Sequence, residues 1–536
     1  MLYAPDDQAV KEETTAAVQQ ALVLLLRAAD DGVTVRVLEE HVWETVIQLG
    51  RALMSAGLSR MCARATQRDV EERGLDSKQV TLRLDSDYHG TLSTTLGPVR
   101  FPWFAYRDHS ATAGTVTHAP AKASVLPLFK HCRSSELLLE WESRLGSDHP
   151  FRYAEEALSF FTHGAAYRED TTIARHMVTV GALVGREWTY RTPEDIAHLL
   201  LTRAVRDPKT GRPLLYASTD AHALRSYVDD TWDAQWKMAN GVRLWCVDRH
   251  NGSTIHLGGE YTWGDCEKVQ ETFEWLRDTG RMPADGRMAN GLNVQVVLVT
   301  DGAPWIKERI VPLFPKAVVL LDAYHLLEAL AKYATARFLA GTASNKRFYQ
   351  RALDALFGKS RGKRPKTPKP RRGHRKRPSE PIAEPEMPPG NAPHARRRKC
   401  APAADRLIEL LAEGVVPKRA KEAHDKLVNA ILNNADRIDY ERWRLRGYQI
   451  GSGAMESLHR TASQTRLKVA GIRCLPETSQ AVFNLRMLRL CGRWDEFWRH
   501  DDISALLVDA FASRTLRPVP APSKPAPSSE VLQHAA

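Results

Sequence analysis

The sequence predicts an α/β core with a helical insertion, preceded by α-helical and small β-hairpin N-terminal domains. Three patterns predict it. Apolar residues recur at helical spacing over the first seventy residues and again from Ser134 to Val184. Between Val80 and Tyr106 the period drops to two. From Pro213 onward, short apolar runs alternate with helical stretches.

Taken in order, Lys11 to Ala29 carries a stripe through Val18, Leu22, Leu25 and Leu26, and a second helical pattern runs from Val37 to Ala56. Val80, Leu82 and Leu84 alternate with polar residues, and Gly97-Pro98 marks a turn between two extended runs. Phe151 to Phe161 forms an amphipathic stretch broken at His163-Gly164, after which Asp170-Thr171-Thr172 offers a cap for a helix ending near Leu183. Two helices around a Gly-containing turn suit a DNA-reading helix-turn-helix and suit an ordinary helical hairpin equally. Strands follow at Leu214 to Thr219, ending at Asp220, at Val242 to Val247 and at Ser253 to Leu257. Cys266 to Thr279 reads as a helix, Val294 to Thr300 and Ala317 to Leu321 as strands, and Asp322 to Ala340 as a long helix stopped by Gly341. That succession is the order of an RNase H-like core.

The expected organisation is a helical region at 1–75, a β-hairpin unit at 76–112 and a helical, helix-turn-helix-like region at 113–205. The core's first part follows at 206–345, a helical insertion at 346–440, its second part at 441–500 and a disordered tail at 501–536. With 536 residues the chain exceeds one compact core. An ordinary 43% hydrophobic content excludes a fibrous or wholly disordered chain. Without a membrane-length apolar run or a signal-like start, a soluble cytoplasmic protein is expected. Seven scattered cysteines, none at CxxC spacing, argue against a disulfide scaffold or zinc ribbon.

The formal net charge is +12, and residues 359–400 contain 15 Lys+Arg against 3 Glu, which accounts for all of it. The same stretch holds nine prolines and almost no large apolar residues, so it reads as a flexible insertion. Its cations, among them Arg371, Arg372, Arg375, Lys376 and Arg377, suit salt-sensitive phosphate contacts, or serve only to keep a loop soluble.

Three acidic residues are candidates for chemistry. Asp220 and Asp301 close strands, and Glu456 opens a helix after Gly451-Ser452-Gly453. Carboxylates converging at one sheet edge provide the oxygen ligands for two Mg²⁺ (or Mn²⁺) ions about 4 Å apart, one activating an attacking oxygen and one stabilising a leaving oxygen. Each residue also has a plainer role: Asp301 and Asp322 as helix caps, Glu456 as a charge favoured by a helix dipole.

Tyr448-Gln449-Ile450-Gly451-Ser452-Gly453-Ala454-Met455-Glu456-Ser457, followed by Arg466-Leu467-Lys468-Val469-Ala470-Gly471, resembles the C-terminal signature of bacterial insertion-sequence transposases of the ISKra type, which belong with the Mutator-like DDE group. Asn484-Leu485-Arg486 and Arg493 to Trp498 resemble that family's ending. Upstream, Thr300-Asp301-Gly302-Ala303-Pro304-Trp305 and Leu321-Asp322-Ala323-Tyr324-His325 resemble its second-Asp and Asp-x-x-His blocks. The likeness runs from Leu214 to Trp498, interrupted by the basic stretch.

The resemblance implies an Asp-Asp-Glu triad, Asp220, Asp301 and Glu456, performing metal-dependent strand cleavage and transfer on DNA. Asp322 and His325 would support the site. Asp220 is followed by Ala221-His222 where the family has Asp-Gly, so Asp248, and behind it Asp229 and Asp230, remain rivals for the first ligand. Arg460, Arg466 and Lys468 are candidates for backbone phosphates. The expected partners are the element's ends and target DNA, in an assembly of at least two copies. A nuclease or resolvase on the same fold, or a DNA-binding descendant without catalysis, are the rival functions. Deleting residues 359–400 is expected to weaken DNA affinity and flatten its salt dependence while Mg²⁺-dependent nicking survives at saturating DNA. Loss of nicking under those conditions would show the stretch to be more than a tether.

Overall fold

The structure is a computed structural model, described over residues 30–76, 78–83, 86–110, 115–228, 233–264, 266–358 and 403–513, with scattered positions between 12 and 27. Helix α1, Val35–Glu72, opens with Thr34 accepting the Val37 amide and runs well past the expected end at Ala56. Its second half buries Leu58, Cys62 and Ala63 against a hairpin of β2 and β3, where Leu92, Val99 and Phe101 face inward. The region expected as one hairpin unit holds two small sheets. The hairpin pairs β2 (His89–Thr94) with β3 (Gly97–Pro102), and β1 (Val80–Arg83), β4 (Ala105–Asp108) and β5 (Val116–His118) form a second sheet in the order β1-β4-β5. That sheet extends to His118, beyond the expected limit at 112.

Helices α2 (Glu136–Asp148), α3 (Phe151–Phe161) and α4 (Asp170–Leu183) follow. The break falls where expected, with His163 and Gly164 both at positive φ. The cap of α4 comes from α3: Glu155 Oε2 accepts the Asp170 amide at 3.0 Å. One face of α4 packs into the core, an arrangement common to a helix-turn-helix and to a helical hairpin. Ile173, His176, Met177, Val180, Gly181 and Leu183 are buried. Gly181 abuts the helix Pro476–Leu490 so closely that a Cβ would stand 2.6 Å from that of Ala481.

The core sheet has five strands: β6 (Leu214–Val228), β7 (Asp233–Val247), β8 (Thr254–Trp263), β9 (Gln295–Thr300) and β10 (Val318–Leu321), in the order β10-β9-β6-β7-β8. β7 runs antiparallel to both its neighbours, β6 and β8, whereas β9 runs parallel to β6 and β10 parallel to β9. Alternation separates its faces. Leu215, Ala217, Val242 and Leu244 pack with α5 (Cys266–Asp278), through Val269 and Phe273. Leu214, Tyr216, Val297 and Val299 pack under Trp443, Tyr448 and Ala454. β6 does not end at Asp220 but continues to Val228, because His222, Leu224 and Ser226 keep the buried phase of the alternation.

Helix α6 (Ala323–Phe338) leads into α7 (Ala343–Phe357), and α8 (Ala403–Ala412) and α9 (Lys421–Asn433) pack on both through Leu330, Phe348, Leu407 and Leu427. The basic stretch, including Arg371, Arg372, Arg375, Lys376 and Arg377, lies outside the described residues. Short α10 (Gly453–Leu458) continues as a π-helix over His459–Gln464, and α11 (Pro476–Leu490) follows. The tail expected to be disordered from residue 501 instead begins with α12 (Ile503–Ser513), whose Ile503, Leu507 and Ala510 are buried. No helix among the described residues is long and apolar enough to cross a membrane.

Beneath α12 lies a buried polar chain. Cys132 Sγ stands 3.8 Å from His176 Nε2, His176 Nδ1 stands 2.5 Å from Glu142 Oε2, and Arg168 Nε donates to Glu142 Oε1 at 3.1 Å. Burial opposes charge on His176, but its hydrogen bonds with Cys132 and Glu142 outweigh that and lift its pKa to about 9. A pKa raised in the folded state contributes stability that is complete below the unfolded value of about 6.5 and is lost as pH rises through about 9. Cys132, whose thiol burial would raise but His176 holds below its ordinary value, contributes in the opposite sense over the same range. In a Cys132→Ala background the melting temperature should therefore fall between pH 7 and 9.5, and the fall should be shallower when His176→Phe is added, as read by thermal scans.

Candidate active site at the carboxyl edge of the sheet

The strand register puts three expected residues in one row. β6 pairs with β9 up to Ser218 opposite Val299, and β9 with β10 up to Thr300 opposite Leu321. Continued, the same register sets Asp220 opposite Asp301 and Asp301 opposite Asp322, on strands about 4.8 Å apart. The Asp322 amide donates to Thr300 O at 2.6 Å, so the edge holds together past the last ladder pair.

Each carboxylate in the row has its own environment. Asp301 is exposed, and its Oδ1 accepts the Ala303 amide at 2.9 Å, the cap-like role open to it from sequence. Asp322 is buried and caps α6 through Tyr324 N at 2.9 Å. It also accepts Ser452 N at 3.0 Å and Ser452 Oγ at 2.5 Å, with His325 Nε2 at 3.6 Å. Its two roles thus coincide: it caps one helix and anchors the start of another. Asp220 is 17% exposed. Its Oδ1 accepts the Ala221 amide at 2.8 Å, and His459 Nε2 lies 3.3 Å from Oδ2. Burial alone would raise the Asp220 carboxyl, but the hydrogen bonds from His459 and the Ala221 amide outweigh it and hold it below its ordinary value.

Glu456 reaches the edge on α10. Gly241, register partner of Asp220 on β7, leaves room for that helix: a Cβ there would meet Met455 and stand 2.8 Å from the Tyr261 ring. Arg243 Nη1 donates to Ala454 O from the same strand. Glu456 itself is exposed. Tyr261 senses both carboxylates: burial first, then the charges of Asp220 and Glu456, raise its phenol well above the usual value against the opposing charge of Arg243.

Two contacts bind the π-helix to β6. His459 meets Asp220, and Ser463 Oγ lies 2.6 Å from His222 Nε2. Two strand residues span about 6.6 Å and four helical residues about 6 Å, so the pair spacing matches on both elements. Residues His222, Tyr261, Ser452, His459 and Ser463 were not expected at the site. Their signals in the sequence are only spacings, His222 two past Asp220 and His459 three past Glu456.

The rivals are separated by the topology. Asp248 lies beyond the far end of β7, about 24 Å along the strand from Gly241. It is fully buried, paired with Arg203 and accepting the His250 amide. Asp229 and Asp230 lie outside the described residues. The donor chemistry of the row suits Mg²⁺, but among the described residues no three His, Cys, Asp or Glu side chains are drawn together as a group able to hold a metal ion.

Of the three cations beyond Glu456 expected on DNA, Arg460 and Lys468 are exposed. Arg466 is 1% exposed, donates to Gly146 O at 3.1 Å and stacks 4.9 Å from the Phe151 ring, which makes it a packing residue and corrects the expectation. Arg466→Ala should cost about 2–4 kcal/mol in chemical denaturation. Arg460→Ala and Lys468→Ala should stay within about 0.5 kcal/mol, while each lowers the salt slope of DNA binding by about one.

No family model matches the chain, and no curated protein matches it in sequence. Among solved structures, the Drosophila P element transposase strand transfer complex is matched at 12% identity with a TM-score of 0.23, over 70% of this chain and 83% of that one.

Proposed function

We propose that the chain is a DNA transposase of a mobile insertion sequence, working through Asp220, Asp301 and Glu456 on an RNase H-like core. The observation that carries this is the carboxylate row at the sheet edge, with the Glu456 helix lying across Gly241 beside it. The strand order, three antiparallel strands extended on one side by two parallel ones, supports the RNase H-like reading. The ISKra and Mutator-like assignment rests on the sequence motifs.

Mg²⁺ or Mn²⁺, two ions held by those three carboxylates, would supply nucleophile activation and leaving-oxygen stabilisation. The chain's own residues supply the rest. Asp322, through Ser452, fixes where the Glu456 helix starts. Arg460 and Lys468 meet backbone phosphates, and the cations of 359–400 add sequence-tolerant affinity. Water attacks the phosphodiester at the element's end, releasing a 3′-hydroxyl that then attacks a target strand. Two ends must be held together, so at least two copies are proposed to act. End recognition is proposed to lie with the N-terminal units, the β-hairpin and the α3–α4 pair.

Asp220→Ala, Asp301→Ala and Glu456→Ala should each reduce Mg²⁺-dependent nicking of an element end by about 10³-fold or more, and Asp248→Ala should not, provided it remains folded. Joined products in a strand-transfer assay support the transposase; cleavage without joining indicates the nuclease or resolvase. Binding without nicking indicates the non-catalytic descendant.

A further inference from the structure

Asp220 is a weak point in the proposed site. It lies mid-strand, and nothing covalent fixes its χ angles. A carboxylate there needs orientation if it is to share an ion with Asp301 on the neighbouring strand.

We infer that His459 is a positioning residue for Asp220, held in the required tautomer by Tyr261. This rests on the reading of Asp220 as a metal ligand. His459 is 2% exposed, on the π-helix one turn beyond Glu456. The Tyr261 hydroxyl lies 2.8 Å from His459 Nδ1. A phenol that donates to Nδ1 leaves the ring proton on Nε2, and Nε2 is the atom 3.3 Å from Asp220 Oδ2. With Oδ1 held by the Ala221 amide, both oxygens are oriented, and each keeps a lone pair free.

The support is built from rigid parts. Tyr261 sits on β8 opposite Gly241, in the same cross-sheet row as Asp220, and stacks on Phe483 of α11 at 4.5 Å. The His222 ring packs 4.4 Å from that of His459, and His222 is itself tied to Ser463. The ring of His459 is thus hemmed in by β6, β8 and its own helix. Because His459 and Glu456 share one helical segment, the same contact that orients Asp220 also fixes the distance from Asp220 to the third carboxylate. π-Helical turns are frequent at functional sites for this kind of re-aiming.

The test reads metal binding as well as activity. Mn²⁺ is titrated into the full chain without DNA, with free ion followed by electron paramagnetic resonance, and folding is checked by circular dichroism. His459→Phe should raise the Mn²⁺ Kd about tenfold or more, and Tyr261→Phe should raise it severalfold while leaving the melting temperature nearly unchanged. His459→Gln, which retains an N–H near the Nε2 position, should recover most of the affinity, a rescue that a purely packing role would not give. At saturating DNA, the Mg²⁺ concentration for half-maximal nicking should shift in the same order. Unchanged Mn²⁺ affinity in both Tyr261→Phe and folded His459→Phe, with binding lost in Asp220→Ala, overturns the positioning role and leaves the carboxylate site standing. Unchanged affinity in Asp220→Ala overturns both.

Discussion

The buried Asp322 carboxylate holds the site together. It stands at the end of β10, yet it accepts both the amide and the hydroxyl of Ser452, 130 positions further along the chain. Between the two partners the chain runs out through α6 to α9 and returns to that junction. The helix that follows Ser452 has six residues, too few to be stable alone. Its position is therefore imposed by tertiary contacts: Asp322 at its start, Arg243 at Ala454 O and Gly241 beneath Met455. Removing one partner from a buried charged hydrogen bond costs several kcal/mol, so Asp322 matters to the site whether or not it ever touches an ion.

The second constraint is register. A strand repeats every two residues, so a single-residue slip in β6 would turn Asp220 away from the covered face and expose Leu224 in its place. The long pairing with β7, from Tyr216 to Val228, makes that slip costly. The register that buries Tyr216 also aligns Asp220 with Asp301, and the π-helix is fitted to the same phase through His459 and Ser463. Core packing and site geometry are consequently one problem.

How much of this was legible in the sequence follows from what each signal measures. Apolar β9 running into Asp301, and the limits of α3 and the start of α4, could be read directly, because local periodicity and turn residues specify them. The continuation of β6 past Asp220 could not: its inward positions are His222 and Ser226, polar residues that satisfy one another's elements only after folding. Arg466 looked like a surface cation because its carbonyl partner lies 320 positions away. Helix α12 was hidden by the Pro-rich sequence that follows it. The Cys132–His176–Glu142 chain gave no local sign, since its three members come from three different segments.

Charge shows the same limit most clearly. Counting cations placed the whole excess in residues 359–400 and treated the rest as a balanced surface. Much of that balance is interior. Arg243, Arg281, Arg466 and Arg493 are all less than a tenth exposed, and each donates to a main-chain carbonyl. Arginine suits this role because its five donors can close several carbonyl ends at once while its stem packs as a hydrophobe. These arginines cannot face a phosphate without unfolding their surroundings. Carboxylates are buried with them, Glu142, Asp207, Asp248, Glu260 and Asp322 among them, so burial removes charge of both signs and the net positive excess stays with the basic stretch.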